Sequence, residues 1–263
     1  MLVAETKKQL HQNLKDLRLP TVRRCYEEQA GLAEKDSLIY EQYLHEVIEL
    51  EIEARQQNRV SRFLRESRLP LEKSWERFDR KHLPRKVDVQ LNTLIEGSFV
   101  NRHDNVLAFG NPGSGKTHLL CALGQELIHR GHRVLFATCS LLVQELLVAK
   151  RELRLARLLK RLSKFRPLII DDIGYVQQDR EEMEVLFTLL AERYERGSVM
   201  LTSNLPFSKW EKIFKDPMTT AAAIDRLVHH SIILELNVAS YRLEQSKKNR
   251  TPMAEGTETR QSV

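Results

Sequence analysis

The run Gly110-Asn111-Pro112-Gly113-Ser114-Gly115-Lys116-Thr117 fits the pattern G-x-x-x-x-G-K-[ST]. Glycines in such a loop let successive backbone N–H groups converge on phosphate oxygens, and the positive end of a following helix adds attraction for anions. In that chemistry Lys116 reaches the β and γ phosphates of ATP, and Thr117 ligates Mg2+. Downstream, Leu168-Ile169-Ile170-Asp171-Asp172 reads as a buried strand ending in paired carboxylates. Desolvating them is costly unless a cation or hydrogen bonds compensate. Asp171 is therefore expected to hold Mg2+ through water, with Asp172 placed to orient or deprotonate an attacking water. A strand ending in Asp-Asp is by itself more often a turn; the phosphate loop upstream favours the metal reading.

Thr202-Ser203-Asn204 and Asp225-Arg226 extend this set towards hydrolysis. Asn204, at the tip of a strand, is placed to sense the γ-phosphate or position water, although Asn before Leu-Pro is also an ordinary turn residue. Arg226, on a short helix over 221–227, has a guanidinium suited to stabilising charge on a transferring phosphoryl group. The plainer role is a surface salt bridge with Asp225.

These residues need a scaffold, and the alternation of short apolar runs with helical stretches supplies one. Runs at 106–109, 134–137, 168–170, 199–201 and 232–236 alternate with helices over 117–130 and 180–196, each ending at a glycine, Gly131 or Gly197. That is the pattern of βαβ units in a parallel sheet. Leu119, Leu123 and Leu127 share one face of the helix after the phosphate loop.

Residues 1–68 are helical instead: Leu10, Leu14 and Leu17 share one face, and Tyr40, Tyr43, Leu44, Val47 and Ile48 another. Arg-Leu-Pro breaks at Pro20 and Pro70 bound the runs, with Asp36 or Ser37 expected to cap the long helix between them. The expected organisation is a helical module over 1–68, a linker over 69–97, an ATP-binding domain over 98–243 and a polar, disordered tail over 244–263.

Composition narrows the setting. No stretch approaches the roughly 18 apolar residues of a membrane span, and the opening MLVAETKKQLHQ lacks an apolar signal core. A cytoplasmic location without a membrane partner is expected. Cys25, Cys121 and Cys139 are odd in number and far apart, which suits buried thiols rather than a disulfide framework or zinc site. The formal charge is +6, yet residues 1–80 hold 15 basic and 15 acidic side chains, so the excess lies wholly in 81–263. Its densest part is 150–166, with eight basic residues and one acidic. Read as a helix, Leu155, Leu158, Leu159 and Leu162 form a packing face and leave Lys150, Arg151, Arg154, Arg157 and Arg161 for DNA phosphates. A solvated basic face, or one binding an acidic partner, fits the same pattern.

Taken together, GNPGSGKTHL, LIIDDIGY, VMLTSNLPF and AIDRLVHH resemble the IstB family of AAA+ ATPases, helpers of insertion-sequence transposition related to DnaC-type helicase loaders. The resemblance covers nearly the whole chain to about residue 245, including Trp75-Glu76-Arg77-Phe78-Asp79. It implies an AAA+ type P-loop fold, α/β, with a parallel five-stranded sheet flanked by helices, a small N-terminal helical module and a reduced C-terminal lid. It also implies an oligomer assembled on double-stranded DNA, working with the transposase of the same element on the target. In such assemblies the arginine matching Arg226 enters the neighbouring subunit's site and the residue matching Asn204 is the first sensor. Tyr241-Arg242 resembles the second sensor, so Arg242 is a further expected nucleotide contact. AAA+ proteins usually carry Glu where Asp172 stands, which implies slow turnover. A replicative helicase loader shares every site residue named. A non-hydrolysing ATP-gated switch is the alternative of another class. A small-molecule kinase is disfavoured, since nothing resembles an acceptor-binding lid.

Overall fold

The computed structural model describes residues 2–174, 180–210, 217–238 and 240. The chain divides into two compact units, Met1–Phe63 and Leu64–Val263.

The first unit is built from α1 (Leu2–Asp16), α2 (Pro20–Lys35) and the greater part of α3 (Tyr40–Ser67). Pro20 opens α2 rather than ending α1, because its fixed φ and missing N–H suit the first turn. Leu14, Val22 and Val47 form its core, with Leu19, Tyr26 and Tyr43 packed around them. Of the expected apolar faces, only part is covered: Leu10, Leu17, Tyr40, Leu44 and Ile48 are exposed. Val47 of the α3 face is buried, and the buried stripe of α3 continues to Glu51. Glu51 caps α2 from across the unit: its Oε2 accepts the N–H groups of Thr21 at 2.7 Å and Val22 at 3.2 Å. Neither Asp36 nor Ser37 caps α3: Asp36 closes α2, Ser37 turns the chain at φ 53, and Gln42 Oε1 accepts the Ile39 N–H.

In the second unit α4 (Arg85–Ile95) and α5 (Ser98–Arg102) precede a βα series: β1 (Asn105–Gly110), α6 (Lys116–His129), β2 (Leu135–Thr138), α7 (Cys139–Arg151), α8 (Leu155–Leu162), β3 (Leu168–Asp171), α9 (Arg180–Arg193), β4 (Val199–Ser203), α10 (Pro217–Val228) and β5 (Ser231–Leu236). The five strands are parallel in the order β2-β3-β4-β1-β5. Alternate residues serve opposite faces. Leu168, Ile170, Val199 and Leu201 join a core with α7, α8, α9 and α10, whereas Ile169 meets α6 at Gly124.

The helix expected over 180–196 stops at Arg193, and Glu195 rather than Gly197 makes the left-handed turn. Arg193 is the last residue of that helix. It is buried, and its guanidinium donates to the carbonyls of Leu162, Phe165, Arg166 and Ser198. Burial pulls its pKa down to about 10. Gly197 leaves the space that this guanidinium fills. Cys121 and Cys139 are buried, while Cys25 is half-buried. No described helix is long and apolar enough to cross a membrane.

Candidate functional site

The phosphate-loop pattern lies between β1 and α6, with Gly115 at φ 90 as the cap of a helix that begins at Lys116. Leu119, Leu123 and Leu127 anchor α6 in the core, so its N-terminus is held at the C-terminal edge of the sheet. Above it opens a cavity of about 660 Å3, lined by Pro112 to His118 and by Asp172 and Asn204. This brings the loop, the second carboxylate and the strand-tip amide into one space.

Asp171 ends β3 and is buried. Its Oδ1 accepts the hydroxyl of Thr117 at 2.8 Å and that of Thr202 at 2.7 Å. Asp172, one residue on, leaves the strand at φ 62 and is exposed at the cavity. The ammonium of Lys116 donates to the carbonyls of Gly110 at 2.8 Å and Asn111 at 2.9 Å, which curls it over its own loop. Ser114 Oγ and Asn204 Oδ1 are shielded from solvent and without hydrogen-bond partners among the described residues. Unsatisfied buried polar atoms beside a cavity are the mark of a site shaped for a polar ligand. The Ser114 hydroxyl can donate to a phosphate oxygen, while Asn204 Oδ1, an acceptor, suits a donor such as water beside that phosphate.

Asn204 is held close to the acidic turn by what Gly174 lacks: a Cβ at Gly174 would fall on Asn204 Oδ1 and lie 3.1 Å from Leu205 Cγ. Arg226, by contrast, does not line the cavity. Its guanidinium lies over the Phe187 ring of α9, 4.5 Å from the centroid, and no ion pair with Asp225 is present among the described residues. Tyr241, Arg242 and the expected tail lie outside the described residues.

The opposite wall of the cavity was not assigned from sequence. Arg77, Phe78, His82 and Leu83 line it, and Val238 also lines the cavity. Phe78 stands 5.1 Å from the His118 ring and His118 Nε2 is 2.9 Å from the Ser74 carbonyl, so the segment before α4 is stitched to α6. The Trp75 to Asp79 run was the available signal, but only Arg77 in it has phosphate-binding chemistry, and nothing in its spacing ties it to the loop.

The basic stretch is not one helix. Leu153 turns the chain at φ 56 between α7 and α8, so Lys150 and Arg151 belong to one helix and Arg157 and Arg161 to the next. Nor are the cations mostly unpaired as expected. Lys150 meets Glu184 at 2.9 Å, Arg151 meets Glu181 at 3.6 Å and Arg154 meets Glu152 at 3.5 Å, while Arg161 pairs with Glu145. Arg157 has no ion pair among the described residues. A recess of about 560 Å3 is lined by Arg154, Arg157, Leu158, Lys160, Arg161 and Lys164.

A five-stranded parallel sheet in this order, carrying a P-loop and an acidic strand end, defines a P-loop protein of the AAA+ type. The chain belongs to the family of IstB-like ATP binding proteins, whose model matches residues 12–249. It is 44% identical over 230 residues to an insertion sequence ATP-binding protein, y4iQ/y4nD/y4sD, of Sinorhizobium fredii, covering 87% of this chain and 77% of that one. It is 41% identical over 232 residues to the insertion sequence IS21 ATP-binding protein of Pseudomonas aeruginosa, covering 85% and 86%. Among solved structures, DnaI matches with a TM-score of 0.52 at 22% identity, over 66% of this chain and 94% of that one. AMPPCP-bound DnaA from Aquifex aeolicus matches at 0.53 and 18%, over 70% and 56%. At such identities these structures bear on the fold alone.

Proposed function

We propose that this protein is a Mg2+-dependent ATPase that acts as an oligomer on double-stranded DNA, together with the transposase of an insertion element. The observation that carries the hydrolytic reading is the Asp171 carboxylate, which joins Thr117 of the phosphate loop to Thr202 at one oxygen, with Asp172 and Asn204 on the same cavity. Backbone N–H groups of Gly110 to Thr117 would hold the phosphates, with Lys116 leaving its loop carbonyls to pair with them. Thr117 and Asp171 would hold Mg2+, which supplies neutralisation of charge on the phosphates. Asp172 orients or deprotonates the attacking water, and Asn204 presents its amide to the γ-phosphate. Arg226, away from its own cavity, serves the site of a neighbouring subunit, which makes hydrolysis depend on assembly.

The transposition role is supported by the relatives' association with insertion sequences. The DNA role is supported by the recess of Arg154, Arg157, Lys160, Arg161 and Lys164, where cations from a helix and its flanks converge. Lys150 and Arg151 sit outside it. Asp172, one methylene shorter than Glu, favours a second reading in which ATP gates assembly without being cleaved.

Phosphate release from the purified protein with ATP and Mg2+, with and without duplex DNA, separates the readings. DNA-stimulated turnover that Lys116→Ala and Arg226→Ala both abolish supports the assembled ATPase. ATP binding and oligomerisation without phosphate release under either condition would replace it with the switch.

A further inference from the structure

Thr202 lies in β4, wholly buried, and its hydroxyl is the point at which the paired carboxylates are tied together. Oγ1 donates its proton to Asp171 Oδ1 at 2.7 Å and accepts the backbone N–H of Asp172 at 2.8 Å. The main-chain carbonyl of the same threonine accepts the N–H of Ile173 at 3.1 Å. Thr202 thus holds the side chain of one residue and the backbone of the following pair.

That grip has work to do. Asp172 stands at φ 62, a left-handed conformation uncommon for residues with a Cβ, although Asp is among those that adopt it most readily. The turn is what lifts its carboxylate off the strand and onto the cavity, where it is exposed while Asp171 stays buried. The N–H accepted by Thr202 lies at the start of that turn. Asp171 is constrained in parallel: Thr117 and Thr202 approach the same oxygen, which orients the carboxylate and leaves its second oxygen outside both bonds.

We propose that Thr202 is a positioning residue that sets the Asp171 carboxylate and the Asp172 turn in one fixed relation, and links both to the strand that leads to Asn204. The inference rests on reading the cavity as an ATPase site. Its physical basis is that groups supporting a metal-binding carboxylate direct its lone pairs and are nearly as consequential as the ligand itself. The hydroxyl is needed in both roles at once: one proton for Asp171, one lone pair for Asp172.

Thr202→Val keeps the shape and removes the hydroxyl, whereas Thr202→Ser keeps the hydroxyl. The decisive measurement is the affinity for a fluorescent ATP analogue with and without Mg2+, read beside kcat, KM and thermal melting. Without Mg2+ the valine variant should bind the analogue as tightly as wild type. The gain in affinity that Mg2+ confers, and kcat, should each fall about 10–100-fold, with KM for ATP in the presence of Mg2+ rising as that gain is lost. The serine variant should recover most of both. A valine variant with wild-type Mg2+ response and kcat, merely melting earlier, would overturn the proposal, as would a serine variant no better than valine. Should the valine variant not fold, Thr202→Ala faces the same criteria with a smaller intrusion. If wild type releases no phosphate the ATPase reading fails, yet the Mg2+ titration still decides whether Thr202 directs the cation site.

Discussion

The guanidinium of Arg226 rests on the ring of Phe187, 4.5 Å from its centroid, with Nη1 shielded from solvent and lacking a hydrogen-bond partner among the described residues. The ring presents its electron-rich face to the cation and holds it without consuming its N–H donors. Arg226→Ala should leave ATP affinity intact and abolish stimulated turnover. Phe187→Leu, which removes the platform but not the charge, should lower turnover in part. Mixing Arg226→Ala with Lys116→Ala protein should restore some activity, because mixed assemblies contain sites with one intact half from each. Steady-state phosphate release across mixing ratios checks this, and a strictly additive loss would place Arg226 in its own subunit's chemistry.

Gly174 offers a separate handle on Asn204. A methyl there would collide with Asn204 Oδ1 and press on Leu205. Gly174→Ala should therefore displace the amide while leaving the phosphate loop untouched. A misplacement of about 1 Å at a reacting centre can cost about 100-fold in rate, so kcat should fall steeply with little change in nucleotide affinity. Comparison with Asn204→Ala checks it: the double variant should be no slower than either single one.

For DNA, the division of the basic stretch predicts unequal contributions. Arg157→Ala and Lys164→Ala should weaken duplex binding at every sequence, each lowering the slope of log K against log salt by about 0.9. Lys150→Ala and Arg151→Ala should have smaller effects, since Glu184 and Glu181 already neutralise those cations. Fluorescence anisotropy over a salt series reads both slopes.

The N-terminal unit carries its own pH dependence. Burial pushes the Glu51 carboxyl up, but hydrogen bonds from Arg55 and the Val22 and Thr21 N–H groups outweigh it and hold the pKa below 4.5. A carboxyl depressed by folding stabilises the folded state in full above its ordinary value, and that contribution is lost as pH falls below 4.5 through the depressed value. The melting temperature of wild type should exceed that of Glu51→Gln at neutral pH, and the gap should close on acidification. A constant gap would disprove the assignment.

What could be read from residues alone was whatever depends on neighbours in sequence. The loop Gly110 to Thr117 works through contiguous backbone N–H groups between a strand and a helix, and the run to Asp171 is a local apolar strand with a polar end. Each strand's existence follows from its apolar run, and the family resemblance supplied the AAA+ arrangement. The breaks were less legible: Leu153 and Glu195 turn left-handed at residues with no glycine or proline to announce them. Capping at a distance was equally hidden, because Glu51 lies 30 residues from the Thr21 N–H it accepts.

Tertiary structure decided which side chains share a space. Placing β4 beside both β1 and β3 carries Thr202 under Asp171, a contact no spacing rule encodes. The wall of Phe78, His82 and Leu83 closes over the phosphate loop through the packing of Phe78 on His118. Cations that a helical wheel leaves open are paired because α9 brings Glu181 and Glu184 alongside. The physical reason is common to all three: backbone conformation responds to adjacent residues, whereas hydrogen bonds and ion pairs respond to whatever the packed core brings within a few ångströms.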